Sequence, residues 1–150
     1  MFAFLLLNGW QGVWIEGNIK FIESIHRKFS PLQKIGQLEI KQAWVSKDNI
    51  NSLIDDCGLP EELDFLSIDI DGNDYHVLEN IVPLTARLVV IEYNSKLPPP
   101  TNWIMKYNPD HKKTNTDYFG ASLKSFERLL LKKGYLLVGC NISGVNAFFV

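Results

Sequence analysis

An open, mostly parallel α/β sheet with helices on both faces, its last strand entering antiparallel through a hairpin, is the architecture this sequence predicts. Three observations carry it. Apolar, β-branched runs at 13–16, 63–70 and 88–92 alternate with segments of helical periodicity, which implies parallel strands joined by crossover helices. Each run closes on acidic residues, the pattern of strands that deliver polar side chains to one sheet edge. The chain finishes with two strands separated only by Asn141 to Gly144, a turn suited to a hairpin and too short for a parallel crossover.

Val13 to Glu16 is a short buried strand that Gly17 turns into a helix. Ile19, Ile22, Ile25 and Phe29 recur at helical spacing, with Asn18 as the cap and Ser30-Pro31 as the expected stop. From Gln37 to Val45 the pattern alternates, with Leu38, Ile40, Gln42 and Trp44 on one face and charges on the other, as on an edge strand. Asp48 or Asn49 caps a helix carrying Ile50, Leu53, Ile54 and Cys57, which Gly58 ends in the left-handed conformation. Leu63 to Ile70 is a buried strand, and Asp74 caps a short helix through Val77, Leu78 and Ile81 that Pro83 ends. After the strand Leu88 to Glu92, the stretch from Tyr93 to Phe119 is long for a connection, a length that usually signals function or disorder. Leu123, Phe126, Leu129 and Leu130 mark an amphipathic helix, with Lys132 and Lys133 at its negative end. Tyr135 to Cys140 and Val145 to Val150 form the closing hairpin.

With 150 residues the chain suits one domain with one core. A hydrophobic content of 46% and a formal net charge of -2 give no electrostatic reason to seek nucleic acid or an anionic membrane, so small-molecule partners are expected. Cys57 and Cys140 lie in no metal-ligand spacing; both are expected as buried small hydrophobes in a reducing, cytoplasmic setting. The opening MFAFLLLNGW is too short for a signal peptide or membrane span and reads as the end of a helix begun earlier.

Ligands of open parallel sheets bind beyond the carboxyl ends of the strands, where this chain places Glu16, Asp69 with Asp71, and Glu92 followed by Asn94. Glu16-Gly17 suits acceptance of hydrogen bonds from two ribose hydroxyls; the competing role is an acid favouring the positive end of the next helix. Asp69 and Asp71 suit a general base, a group orienting a nucleophile, or a cation ligand, against an Asx-type turn in which Asp71, Asn73 and Asp74 cap a helix. An EF-hand starting at Asp69 is excluded, since it needs Gly at Asp74 and Glu at Asn80. His26 and His76 fall within helices and read as surface or packing residues.

In order, GWQGVWIEG, DFLSIDIDGNDYHVL, VVIEYN, FGASL and KGYLLVGCNISGVNAFFV resemble the later motifs of the FkbM-like class I S-adenosylmethionine-dependent methyltransferases. The resemblance covers nearly the whole chain. It implies a Rossmann-like sheet, S-adenosylmethionine as cofactor, and O-methyl transfer to a small molecule or glycan. By the same resemblance Glu16 and Gly17 hold the ribose, Val45 and Ser46 border the adenine, and Asp69 faces donor and acceptor. Asp71 and Asn94 fall on the acceptor side, and the long loop with Trp103, Tyr107 and His111 covers or selects the acceptor; local packing under the loop is the alternative for its aromatics.

The family's first strand and glycine-rich loop would precede residue 1, and no G-x-G occurs in the sequence. That strand normally sits mid-sheet, between the strands at Val13 and Phe65. Its loss implies that those two strands pair directly, that another protein or a second copy supplies the strand, or that the sequence is a truncated reading of a longer protein, which is the expectation. Two other functions compete. SIDIDGN resembles the D-x-D-G-T signature of haloacid-dehalogenase-type phosphatases, with Asp69 as nucleophile and Asp71 as acid/base, but Asn73 stands where that family needs a hydroxyl. A non-catalytic remnant or binding module of the same fold is the other.

Overall fold

The computed structural model describes residues 8–112 and 115–150; the helix end expected in the first seven residues lies outside them. The chain divides into two compact units, Met1–Val45 and Ser46–Val150.

The first unit holds strand β1 (Gly12–Glu16), helix α1 (Ile19–Lys34) and strand β2 (Leu38–Gln42), with β1 and β2 paired in parallel from Gly12↔Leu38 to Glu16↔Gln42. Asn18 caps α1 as expected, its side chain accepting from Lys20 N. Pro31 does not end the helix, which runs to Lys34. Proline removes one helical hydrogen bond, but Leu32 on the following turn is buried with Ile25, Phe29 and Leu38, and that packing holds the last turn in place. The helix stops at Gly36, whose φ of 73° permits paired closing bonds from Gly36 N to Gln33 O and from Gln37 N to Leu32 O. Strand β2 is shorter than the alternation suggested and ends before Trp44, which is 52% exposed.

The second unit begins with helix α2 (Ile50–Asp55), ended by Gly58 at φ 57°. Strand β3 (Leu63–Ile68), helix α3 (Asp74–Asn80) and strand β4 (Ala86–Glu92) follow, then helix α4 (Leu123–Lys132) and the strands β5 (Leu137–Cys140) and β6 (Asn146–Phe149). The four strands pair in the order β3-β4-β6-β5. Only β3–β4 is parallel; β4–β6 and β6–β5 are antiparallel, so this sheet is not mostly parallel as the strand–helix alternation implied. The physical reason is the hairpin. Its short turn returns β6 antiparallel to β5, and β6 then also completes the ladder of β4, adding two antiparallel pairings where sequence order alone suggests one.

One face of this sheet is sealed: Val89, Ile91, Ala147 and Phe149 are all 0% exposed, as are Val77 and Leu78 of α3 and Phe126 and Leu130 of α4. Tyr75 of α3 and Phe126 of α4 meet with ring centroids 5.7 Å apart. Among the described residues β1 pairs with β2 in the first unit, and β3 with β4 in the second. The architecture is therefore α/β with open sheets. Among the described residues neither cysteine is in a disulfide; Cys57 is half-buried, whereas Cys140 is exposed rather than buried because it lies on the outermost strand of its sheet. No helix among the described residues is long and apolar enough to cross a membrane.

Candidate active site

The parallel pairing of β3 and β4 runs through Ile68↔Ile91, so the next residue of each strand, Asp69 and Glu92, comes abreast at the carboxyl edge. Together with Asp71, their carboxyl oxygens lie within 4.8 Å of one another. Glu92 is hydrogen-bonded to Asp69, and burial, reinforced by the negative charges of Asp69, Asp74 and Asp71, pushes its carboxyl up to about 8. The pair therefore holds a proton at neutral pH, the usual answer to carboxylates placed too close for all to ionise.

The turn that presents these acids is built by its own sequence. Asp71 adopts φ 61°, a left-handed conformation that Asp tolerates better than most residues. Asn73 takes the cap position of α3 without a side-chain capping bond, so the expected capping by Asp74 is replaced by another use of that side chain. Asp74, 1% exposed, reaches back to accept from Ile70 N and Gly72 N, both at 2.8 Å. Burial raises its carboxyl to about 6, against the lowering effect of those N–H donors. Asp74 braces the turn, and Asp69 and Asp71 project from it.

Across the turn lies part of the long loop. His111 Nε2–H donates to the Asp71 carbonyl at 3.1 Å. Its ring sits against Gly72, where a Cβ would lie 2.3 Å from His111 Cδ2. Asn73 Nδ2 donates to Asn108 O at 2.7 Å, and Asn108 N returns a bond to Asn73 Oδ1. Tyr107 packs edge-on against His76, lies under Lys47 Nζ at 4.5 Å, and donates its hydroxyl to Asp48 Oδ2. The structure thus brings His111 to the acidic turn and holds Tyr107 beside α3.

Each of the other expected site residues has its own surroundings. Asn94 is fully buried; its amide donates to Asp117 O and Phe119 O and accepts from Lys96 N, which makes it the internal scaffold of the loop rather than part of its surface. Trp103 is packed edge-on to Tyr118, with centroids 5.4 Å apart. Ser46 and Asn49 exchange bonds, Ser46 N to Asn49 Oδ1 and Asn49 N to Ser46 Oγ, so Ser46 shapes the turn into α2. Val45 is half-buried at the end of the first unit. In that unit Glu16 accepts from Asn18 N at 2.7 Å, the helix-start role weighed for it, and Gly17 lies under the indole of Trp44. His76 bonds Met105 O, and His26 bonds Gln33, as packing and surface residues do.

Glu92 is the functional candidate that acidic strand endings alone left without a chemical role, and the β3–β4 register is the signal that assigns one. Comparison with protein-family models, with curated proteins and with solved structures finds no match for this chain.

Proposed function

We propose that this chain is a methyl-transfer enzyme of the S-adenosylmethionine-dependent, FkbM-like kind, acting on a hydroxyl of a small molecule or glycan. The observation that supports the reading is the proton-sharing Asp69–Glu92 pair at the carboxyl edge of two parallel strands, in a sheet whose hairpin strand β6 lies antiparallel between β4 and β5. An antiparallel strand entered through a closing hairpin is what the motif resemblance implies. Two thiols outside any disulfide fit the cytoplasmic setting expected of such an enzyme.

Within the first unit the Glu16 carboxylate offers about four lone-pair sites, of which the Asn18 N–H uses one, so it retains acceptors suited to the two hydroxyls of a ribose. When bound, the cofactor supplies a sulfonium-borne methyl group, which needs no activation beyond an oxygen nucleophile. The acceptor hydroxyl is that nucleophile, and the chain's part is to orient it and take its proton. Glu92, held to about 8, is a stronger base than an ordinary carboxylate and is matched to proton removal near neutral pH. Asp69, bonded to Glu92, orients the acceptor hydroxyl, and His111 with Asn108 closes the acceptor side against water.

Calorimetric titration of the folded protein with S-adenosylhomocysteine is the test, followed by transfer of a labelled methyl group to a panel of hydroxylated acceptors. Saturable binding is expected; a folded sample that binds neither S-adenosylhomocysteine nor S-adenosylmethionine overturns the proposal. A second reading, phosphate-ester hydrolysis from Asp69, is favoured by the clustering of Asp69, Asp71 and Glu92. Magnesium-dependent hydrolysis of p-nitrophenyl phosphate, abolished by Asp69→Asn, would select it over methyl transfer.

A further inference from the structure

We propose that the face of α1 opposite its buried residues docks on an anionic phospholipid bilayer. This surface belongs to the first unit alone and is independent of the methyl-donor reading.

The chain's formal net charge of -2 conceals an uneven distribution. Helix α1 carries Lys20, Arg27, Lys28 and Lys34 against one acid, Glu23. Its buried residues Ile22, Ile25, Phe29 and Leu32 take one side, the last three of them packed with Leu38. With 3.6 residues per turn, positions seven apart fall nearly in line along a helix. Lys20, Arg27 and Lys34 therefore form a row opposite the core, about 21 Å from end to end, and Phe21, Lys28 and Ile35 form a second row beside it. All six side chains are exposed, Phe21 by 57% and Ile35 by 67%, and only Ser24 and Pro31, also exposed and uncharged, lie between the rows.

Among the described residues none of the four cations is ion-paired with an acid, Glu23 included. Lys28 Nζ lies instead 5.5 Å from the centroid of the Phe29 ring. Four unneutralised cations on one amphipathic helix are the complement of a leaflet that carries anionic headgroups. Phe21 and Ile35 favour a bilayer over a nucleic acid. Against a duplex, these two large apolar groups would meet phosphate and water. Against a bilayer they enter the headgroup–acyl boundary, while the long basic side chains reach the phosphates around them. The helix then lies in the plane of the surface, with its other side still packed in the first unit's core.

Co-sedimentation of the full chain with vesicles of phosphatidylcholine containing about one-third phosphatidylserine tests this. Binding is expected at low ionic strength, with a loss of about tenfold or more in salt that shortens the Debye length to about 3 Å. At about fivefold per cation, Arg27→Gln combined with Lys34→Gln should weaken partitioning by about 25-fold. Phe21→Ser should weaken it by about five- to tenfold, the loss of one partly inserted ring. Lys132→Gln, in the second unit, should leave it unchanged. Circular dichroism melts confirm folding of each variant. Failure of the wild type to pellet with the anionic vesicles, equal pelleting with pure phosphatidylcholine, or wild-type partitioning in either the double variant or Phe21→Ser overturns the proposal. Duplex DNA bound more tightly than the vesicles, and equally by wild type and Phe21→Ser, assigns the face to nucleic acid and overturns the bilayer as its occupant.

Discussion

Replacing Asp74 by Asn separates the two effects that meet at this side chain. The carboxyl is 1% exposed and its pKa rises from 3.8 to about 6, so between those values the folded protein binds a proton that the unfolded chain has released. Stability contributed by this group is therefore fully present below about pH 4 and declines as pH rises through about 6. A shift of about two units at about 1.4 kcal/mol per unit makes the decline about 3 kcal/mol. Asn does not titrate. Its single carbonyl keeps one of the two N–H donors, Ile70 or Gly72, much as a protonated carboxyl would.

The expectation follows directly. Near pH 4 Asp74→Asn should match the wild type to within the value of one hydrogen bond, about 1 kcal/mol. By pH 7.5 the variant should have gained about 3 kcal/mol relative to the wild type, because only the wild type must keep a buried carboxylate ionised. Urea unfolding of both proteins at closely spaced pH values measures the difference. A difference that stays flat with pH, or that moves in favour of the wild type as pH rises, refutes the reasoning that burial outweighs the two N–H donors.

Other consequences are measurable in the same samples. On the proposed methyl-transfer reading, Glu92→Gln should lower the rate by about 10²- to 10⁴-fold and abolish the rise in wild-type rate expected as Glu92 loses its proton through about pH 8; a variant rate that still climbs through that range places the base elsewhere. Gly72→Ala puts a Cβ 2.3 Å from the His111 ring, so it should displace the imidazole, cost about 1 kcal/mol for the lost bond to Asp71 O, and raise acceptor KM more than it lowers kcat. An unchanged His111 signal in the NMR spectrum of that variant would show the contact to be unimportant. Asn94→Ala strands two carbonyls and one N–H inside the loop and should cost about 2–4 kcal/mol, with faster proteolysis between residues 95 and 120; cleavage at the wild-type rate would remove Asn94 from its scaffold role.

Local patterns were legible where one strong local rule decided the outcome. Asn18 caps α1, Gly58 closes the turn after α2, and the hairpin joins β5 to β6, because caps, left-handed glycines and short turns act over a few residues. Pro31 was misleading because a tertiary contact, the burial of Leu32, overrides the local rule. Alternation placed Trp44 on the strand face of Leu38 and Ile40, but β2 ends at Gln42, so the periodicity continued past the structure that would have buried it. Sheet order and register are non-local, and they decide what periodicity cannot: that β6 enters between β4 and β5, and that Glu92 stands beside Asp69. The roles of Asn94 in the loop and of Ser46 beside Asn49 likewise depend on hydrogen-bond partners that residue type alone does not name.

The segment from Asp69 to Asp74 invites a choice between structural turn and chemical site, and the geometry removes the need to choose. A turn of this tightness requires acceptors for its inward N–H groups, since each buried donor left unmade costs about 1–3 kcal/mol. Asp74 supplies both acceptors, for Ile70 N and Gly72 N, from a position with no access to solvent. That assignment leaves Asp69 out of the bracing and exposed, and brings Asp71 and Glu92 within reach of it. Buried beneath, Asp74 also adds negative charge that helps raise Glu92. The residue that makes the turn structurally possible is thereby one of those that keep a proton on Glu92, so substitution of Asp74 should move the pH at which Glu92 titrates downward even though the two perform different work.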